Sequence, residues 1–118
     1  MGKKMKVDRF EFGSIVIDGK EYTSDLVIEG REIKKRKKKN SKPYRSQYGH
    51  TPLSAKENIP WDCKRLVIGM GCSEMLPVMD DVKKKAEKRG VELLQLKTDE
   101  ALQHLNEKGT NLILHLTC

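Results

Sequence analysis

Gly69-Met70-Gly71-Cys72-Ser73 stands where an apolar run gives way to a helix-like pattern, and its residue types permit three kinds of chemistry. Paired glycines let backbone amides turn toward an anion just beyond a strand's carboxyl end. The third glycine of a dinucleotide fingerprint is missing, since position 74 is Glu, and no Gly-Lys-Ser/Thr follows as in a P-loop. Glu74 would also repel a phosphate. A thiol beside a helix start can instead have its pKa lowered and act as a nucleophile, which makes Cys72 the one catalytic candidate. Its base would have to be His50, His104 or His115. The structural reading is a tight strand-to-helix turn with a small, partly buried cysteine. His115, inside the apolar run "NLILHLT", reads as a buried and satisfied histidine, whereas His104 has polar neighbours and reads as solvated.

The cysteines and histidines show no C-x-x-C and no H-x3-H, and His115 and Cys118 on one strand would point to opposite faces. No metal and no cofactor is expected. Cys63, Cys72 and Cys118 are an odd number at irregular spacing, which argues for reduced thiols in a cytoplasmic setting rather than a disulfide framework.

The net charge of +7 is local. Arg31 to Arg45 holds nine basic residues and one acid, Glu32, so the remainder is close to neutral. Lys34, Lys35, Arg36, Lys37, Lys38 and Lys39 form a continuous run, with Tyr44 and Arg45 close behind. Such a patch could neutralise phosphates while a tyrosine stacks on a base. A solvated loop is the plainer reading, because no nucleic-acid-binding motif accompanies it.

The elements that must position these residues fall into two styles. Over 7–29 the pattern predicts an antiparallel β unit: Phe10 and Phe12 alternate with polar residues, and Asp18-Gly19 between Ile15-Val16-Ile17 and Lys20-Glu21-Tyr22 is a hairpin signal. Asp25-Leu26-Val27-Ile28 reads as a further strand. Residues 31–53 read as a basic loop with a short edge strand at its start. Ser54-Ala55-Lys56-Glu57 fits the capping box of a short helix ended by Pro60. From 64 to 118 the order is β-α-β-α-β. Leu66-Val67-Ile68 is an apolar run suited to a strand covered on both faces. Leu76, Met79, Val82 and Ala86 then recur at helical spacing up to Gly90, with Lys83, Lys84, Lys85 and Lys88 outward. Val91 to Leu96 is a strand, Thr98 caps a second helix ended by Gly109, and Asn111 to Thr117 closes the series. Short loops between these elements imply a parallel sheet.

At 118 residues this is one α/β domain. No apolar run is long enough for a membrane span. The start, "MGKKMKVDRF", lacks the apolar stretch of a secretory signal.

"RFEFGSIVIDGKEYTSDLVI", "YGHTPLS", "RLVIGMG", "RGVELLQLKTDEALQHLNEKG" and "LILHLTC", in that order, resemble the single-domain α/β family of the adipogenesis-associated domain protein and a mitochondrial complex I assembly factor. "HLTC" and "KKKNSKPYRSQYGH" resemble its archaeal branch. The resemblance implies a three-layer α/β fold: a small, mostly parallel central sheet with helices, and the N-terminal antiparallel β-hairpin unit packed on it. It implies no reaction, and some relatives act through protein partners. Tyr48, Gly49, His50, Gly69, Gly71, Thr98, His115 and Cys118 match its pattern.

The leading expectation is therefore a non-catalytic cytoplasmic domain of assembly or scaffold type that binds a protein partner, with a homo-oligomer as a further option. Three alternatives stand beside it. One is an anionic small-molecule site built from Gly69, Gly71, Cys72, Ser73, His50, Thr98 and His115. The second is a thiol enzyme using Cys72. The third is a nucleic-acid binder through Lys34–Arg45.

Overall fold

The computed structural model describes residues 4–118; Met1, Gly2 and Lys3 of the basic start lie outside the described residues. The chain begins with an antiparallel sheet of β1 (Val7–Glu11), β2 (Ser14–Ile17) and β3 (Lys20–Tyr22). Asp18 and Gly19 both take positive φ, 50° and 79°, as a tight hairpin between right-twisted strands requires.

The expected antiparallel unit is split at this point. β4 (Leu26–Glu29) and β5 (Glu32–Lys35) leave the first sheet and join a second one. The reason lies in Leu26-Val27-Ile28, three successive buried apolar residues, because a strand of this kind needs cover on both faces. Residues 39–44 then form a 3-10 turn and Arg45–Tyr48 a single helical turn, α1, closed by Gly49 at φ 75°. The 31–53 segment is thus an edge strand and two short turns rather than an open loop.

The second half supplies β6 (Arg65–Gly69), α2 (Asp80–Arg89), β7 (Glu92–Leu96), α3 (Thr98–Ala101) with a 3-10 extension over 102–104, and β8 (Thr110–Leu114). The strand order of the five-stranded sheet is β5-β4-β8-β6-β7. β6 runs parallel to both β7 and β8, while β4 lies antiparallel to β8 and β5 antiparallel to β4. The sheet is mixed where a mostly parallel one was expected, since β4 and β5 add to the open edge of β8. Leu66, Val67 and Ile68 are fully buried on the inner strand β6. Leu66 and Ile68 join Val27, Val82, Ala86 and Ile113 in one core, whereas Val67 joins Ile15, Ile17, Leu112 and Leu114 in another. Alternate residues of one strand therefore feed two cores. Each large aliphatic side chain so buried contributes about 1.5–3 kcal/mol. No helix among the described residues is long and apolar enough to cross a membrane.

Three local expectations change. No helix starts at Ser54; its hydroxyl pairs with Ser41 Oγ at 2.7 Å, and the Glu57 carboxylate is drawn to Arg36. Helix α2 begins only at Asp80, so Leu76 and Met79 precede it. Thr98 is the first helical residue of α3 rather than its cap, and the turn after 104 uses Asn106 and Gly109, both with positive φ, to reach β8. Gly90 does close α2, at φ 68°.

Candidate functional site

Arg36 is not part of the solvated basic run. Its side chain is 1% exposed, between Asp25 at 6% and Glu57 at 4%. Its Nε and Nη2 donate to the two Glu57 oxygens at 2.9 and 2.8 Å, Nη1 donates to Asp25 Oδ2 at 2.9 Å, and Nη2 also reaches the Pro52 carbonyl. Arginine suits this position because its planar fork can engage two carboxylates at once. Glu57 accepts a further bond from Ser41 Oγ at 2.6 Å. Asp25 accepts one from the Leu116 amide at 3.0 Å and pairs with His115 Nδ1 at 2.7 Å. Burial alone would push the Asp25 carboxyl up, but His115, the Leu116 amide and Arg36 outweigh it and hold it at about 2. Burial likewise opposes the Arg36 charge, and Glu57 and then Asp25 overcome that, so its pKa is raised.

The network fixes what lies outside it. Ser41, fully buried, anchors the 3-10 turn that carries Lys38 and Lys42 and leads into Arg45. Asp25 orients His115, whose other ring nitrogen lies 3.2 Å from Thr117 Oγ1. Between them is a hollow of about 380 Å³ lined by Lys38, Lys42, Arg45, His50, His115 and Thr117, with Leu76 and Cys118 beside them. No carboxylate side chain lines it, and Lys38, Lys42 and Arg45 have no ion-pair partner among the described residues. A larger hollow of about 810 Å³, elsewhere on the surface, mixes Lys4, Arg31 and Lys108 with Glu29, Asp62 and Glu107. The smaller one holds the concentration of single-sign charge that defines a site.

The Gly69–Ser73 loop is built for the backbone. Its amides are taken: Met70 donates to the Leu96 carbonyl, Gly71 to Thr98 Oγ1, Cys72 to the Thr117 carbonyl, and Ser73 and Met75 to the Cys118 carbonyl. These bonds leave no cradle of amides for a phosphate, and the helix start invoked for Cys72 is eight residues further on. Cys72 is exposed and does not line the hollow. Cys63 is half-buried, and burial pushes its thiol pKa up. Thr98, buried, accepts from Gly71 N at 2.8 Å and donates to the His115 carbonyl at 2.6 Å. The loop and Thr98 thus hold residues 115–118, which form one wall of the hollow.

Gly71 carries that docking. It has φ 102°, and a Cβ there would sit 2.5 Å from the Cys118 carbonyl oxygen and 2.7 Å from that of Thr117. Gly71→Ala is therefore expected to lower stability by about 1–2 kcal/mol from the backbone conformation alone. Urea unfolding checks this, and an unchanged midpoint would show that the loop does not hold the wall.

The structure brings His50, His115, Lys38 and Arg45 together, and it supports them with Gly69, Gly71 and Thr98. It disperses the rest. Lys34 pairs with Glu29 and Glu32 at 3.0 and 3.4 Å. Lys35 and Lys37 face a different groove, while Lys39 and Tyr44 do not line the hollow. His104 is not simply solvated, since its Nδ1 lies 2.9 Å from Glu107. Asp25, Glu57 and Thr117 were absent from the sequence-derived candidates, and Ser41 and Lys42 lay inside the Lys34–Arg45 span without being singled out.

Several solved structures share this fold. The conserved hypothetical protein PH1505 from Pyrococcus horikoshii OT3 matches with TM-score 0.81 and 32% identity, over 97% of this chain and 100% of that one. The structure of MT938 matches with TM-score 0.70 and 22% identity, over 97% and 99% respectively. An outer membrane protein from Bartonella henselae matches with TM-score 0.65 and 9% identity, over 98% and 97%. At those identities the last two show a common fold alone. No family model and no curated protein matches the chain, so neither comparison ties it to the adipogenesis-associated or complex I assembly relatives.

Proposed function

We propose, for a chain that belongs to the family of the conserved hypothetical protein PH1505, that it binds a small anion bearing phosphate or carboxylate groups in the Lys38–Lys42–Arg45 hollow. One observation carries this reading: among the described residues, three cations without ion-pair partners and two histidines converge on a concave surface with no acidic side chain. It moves the expected anion site from the Gly69–Ser73 amides to side chains. Arg45 can meet two oxygens of one group with its fork, while Lys38 and Lys42 act as point charges. The buried network beneath them reduces the reorganisation needed on binding. A protein partner in an assembly role has no face assigned to it by comparable geometry, and Cys72 does not line the hollow that holds two of its candidate bases, His50 and His115. Three free cysteines agree with a cytoplasmic setting. The two separate cores agree with a three-layer arrangement.

The test is thermal unfolding in inorganic phosphate or sulfate against chloride of equal ionic strength. At ten times Kd a single site adds about 1.4 kcal/mol, or roughly 4–6 °C in Tm for a domain of this size. The double variant Lys42→Ala, Arg45→Ala is expected to lose that rise while folding normally. An equal rise in parent and variant would remove the hollow from consideration.

A further inference from the structure

We propose a second binding site, for single-stranded nucleic acid, in the groove between the β5 segment and helix α2. Lys35 and Lys37 of the β5 segment, Lys85 and Arg89 of α2, and Trp61 all line this groove, whose volume is about 620 Å³. The four cations come from elements some fifty residues apart in sequence, and none has an ion-pair partner among the described residues. The carboxylates nearby are largely committed: Glu29 to Lys34, and Glu57 to Arg36. Asp62 alone adds uncompensated negative charge. The positive surface continues along α2 past the groove, where Lys84 and Lys88 share an open hollow with Lys85, Arg89 and a single acid, Asp81.

Phosphates account for the cations, and Trp61 decides the class of polyanion. The indole is half-buried against the Val27–Ile59 core, so it presents a fixed ring rather than a free one. A fixed aromatic surface flanked by cations suits an unpaired base joined to its phosphates, since every base has a face to stack. A duplex would keep its bases stacked on one another, and an acidic peptide would leave the ring unused. This site shares no residue with the Lys42–Arg45 hollow, so each stands or falls separately.

Trp61 is the one tryptophan of the chain, so its emission reports on the groove directly. Titration with a twelve-nucleotide oligothymidylate or oligouridylate at low salt is expected to quench it. The logarithm of affinity should fall against the logarithm of salt with a slope of about −3, as for four phosphates neutralised on a single strand. The charge reversal Lys85→Glu, Arg89→Glu, at a half-buried and an exposed position of α2, is expected to weaken binding at least tenfold with Tm retained. Lys42→Ala, Arg45→Ala is expected to leave it unchanged. Absence of quenching at low salt, or equal binding by the Lys85→Glu, Arg89→Glu variant, overturns the proposal. Equal quenching by polyglutamate overturns it too, in favour of an acidic protein segment.

Discussion

Arg36→Met is expected to lower the stability of this protein by about 3–5 kcal/mol, because it leaves Asp25 and Glu57 buried as carboxylates without their shared counter-ion. Domains of this size are stable by only about 5–15 kcal/mol, so the variant should stand at the edge of unfolding at 37 °C. Methionine fills much of the same volume, so the loss reflects charge and hydrogen bonding more than a cavity. Lys37→Ala, one residue on and exposed, is the internal control, expected within about 0.5 kcal/mol of the parent. Arg36→Lys should fall between them, since an ammonium keeps the charge but cannot span both carboxylates. Urea unfolding with an unchanged m-value checks all three. If Arg36→Met lies within 1 kcal/mol of the parent, the network is not what holds the turn and the hollow in place.

That contrast shows where sequence reading stops. In Lys34-Lys35-Arg36-Lys37-Lys38-Lys39 every residue has the same local surroundings, so composition assigns them one fate. Burial of Arg36 is decided by Asp25 and Glu57, 11 and 21 residues away. The one local sign is that arginine interrupts lysines, and a fork matters only once its partners are known. The hairpin at Asp18-Gly19, the inner strand Leu66–Ile68 and the stop at Gly90 were legible because each is dictated by its own residues: positive φ, an unbroken apolar run, a left-handed helix end. The transfer of β4 to the second sheet was less so, since an apolar triplet states a need for cover without naming what provides it. Likewise Gly69 and Gly71 announced a special backbone, but the residues that occupy the space, Thr98 and Leu114 at the first and Thr117 and Cys118 at the second, are 29 to 47 positions away. For the site, His50, His115 and the basic stretch were found. Their grouping, and the carboxylates beneath, required the fold.

The same network makes a second large effect, on acid stability. Asp25 has its pKa lowered from 3.8 to about 2 in the folded state. A depressed carboxylate pKa means that the folded form holds its proton less tightly than the unfolded form, so folding is favoured while the group is ionised. The contribution is full above the unfolded value, from about pH 5 upward, and is lost as pH falls through 4 toward 2. The size of the shift corresponds to about 2 kcal/mol, because one pKa unit is worth 1.36 kcal/mol. Asp25→Asn removes the titrating group, and it also costs stability at neutral pH by leaving Arg36 and His115 without their anion. Its stability should then fall by about 2 kcal/mol less than the parent's between pH 5 and pH 2, so the two curves converge in acid. Glu107, also lowered, chiefly by its hydrogen bond to His104, is solvent-screened on the surface and present in both proteins, so it cancels from the comparison. Parallel curves for parent and Asp25→Asn across that range would show that Asp25 is not held as an anion. His115 would then have no fixed partner to aim it into the hollow.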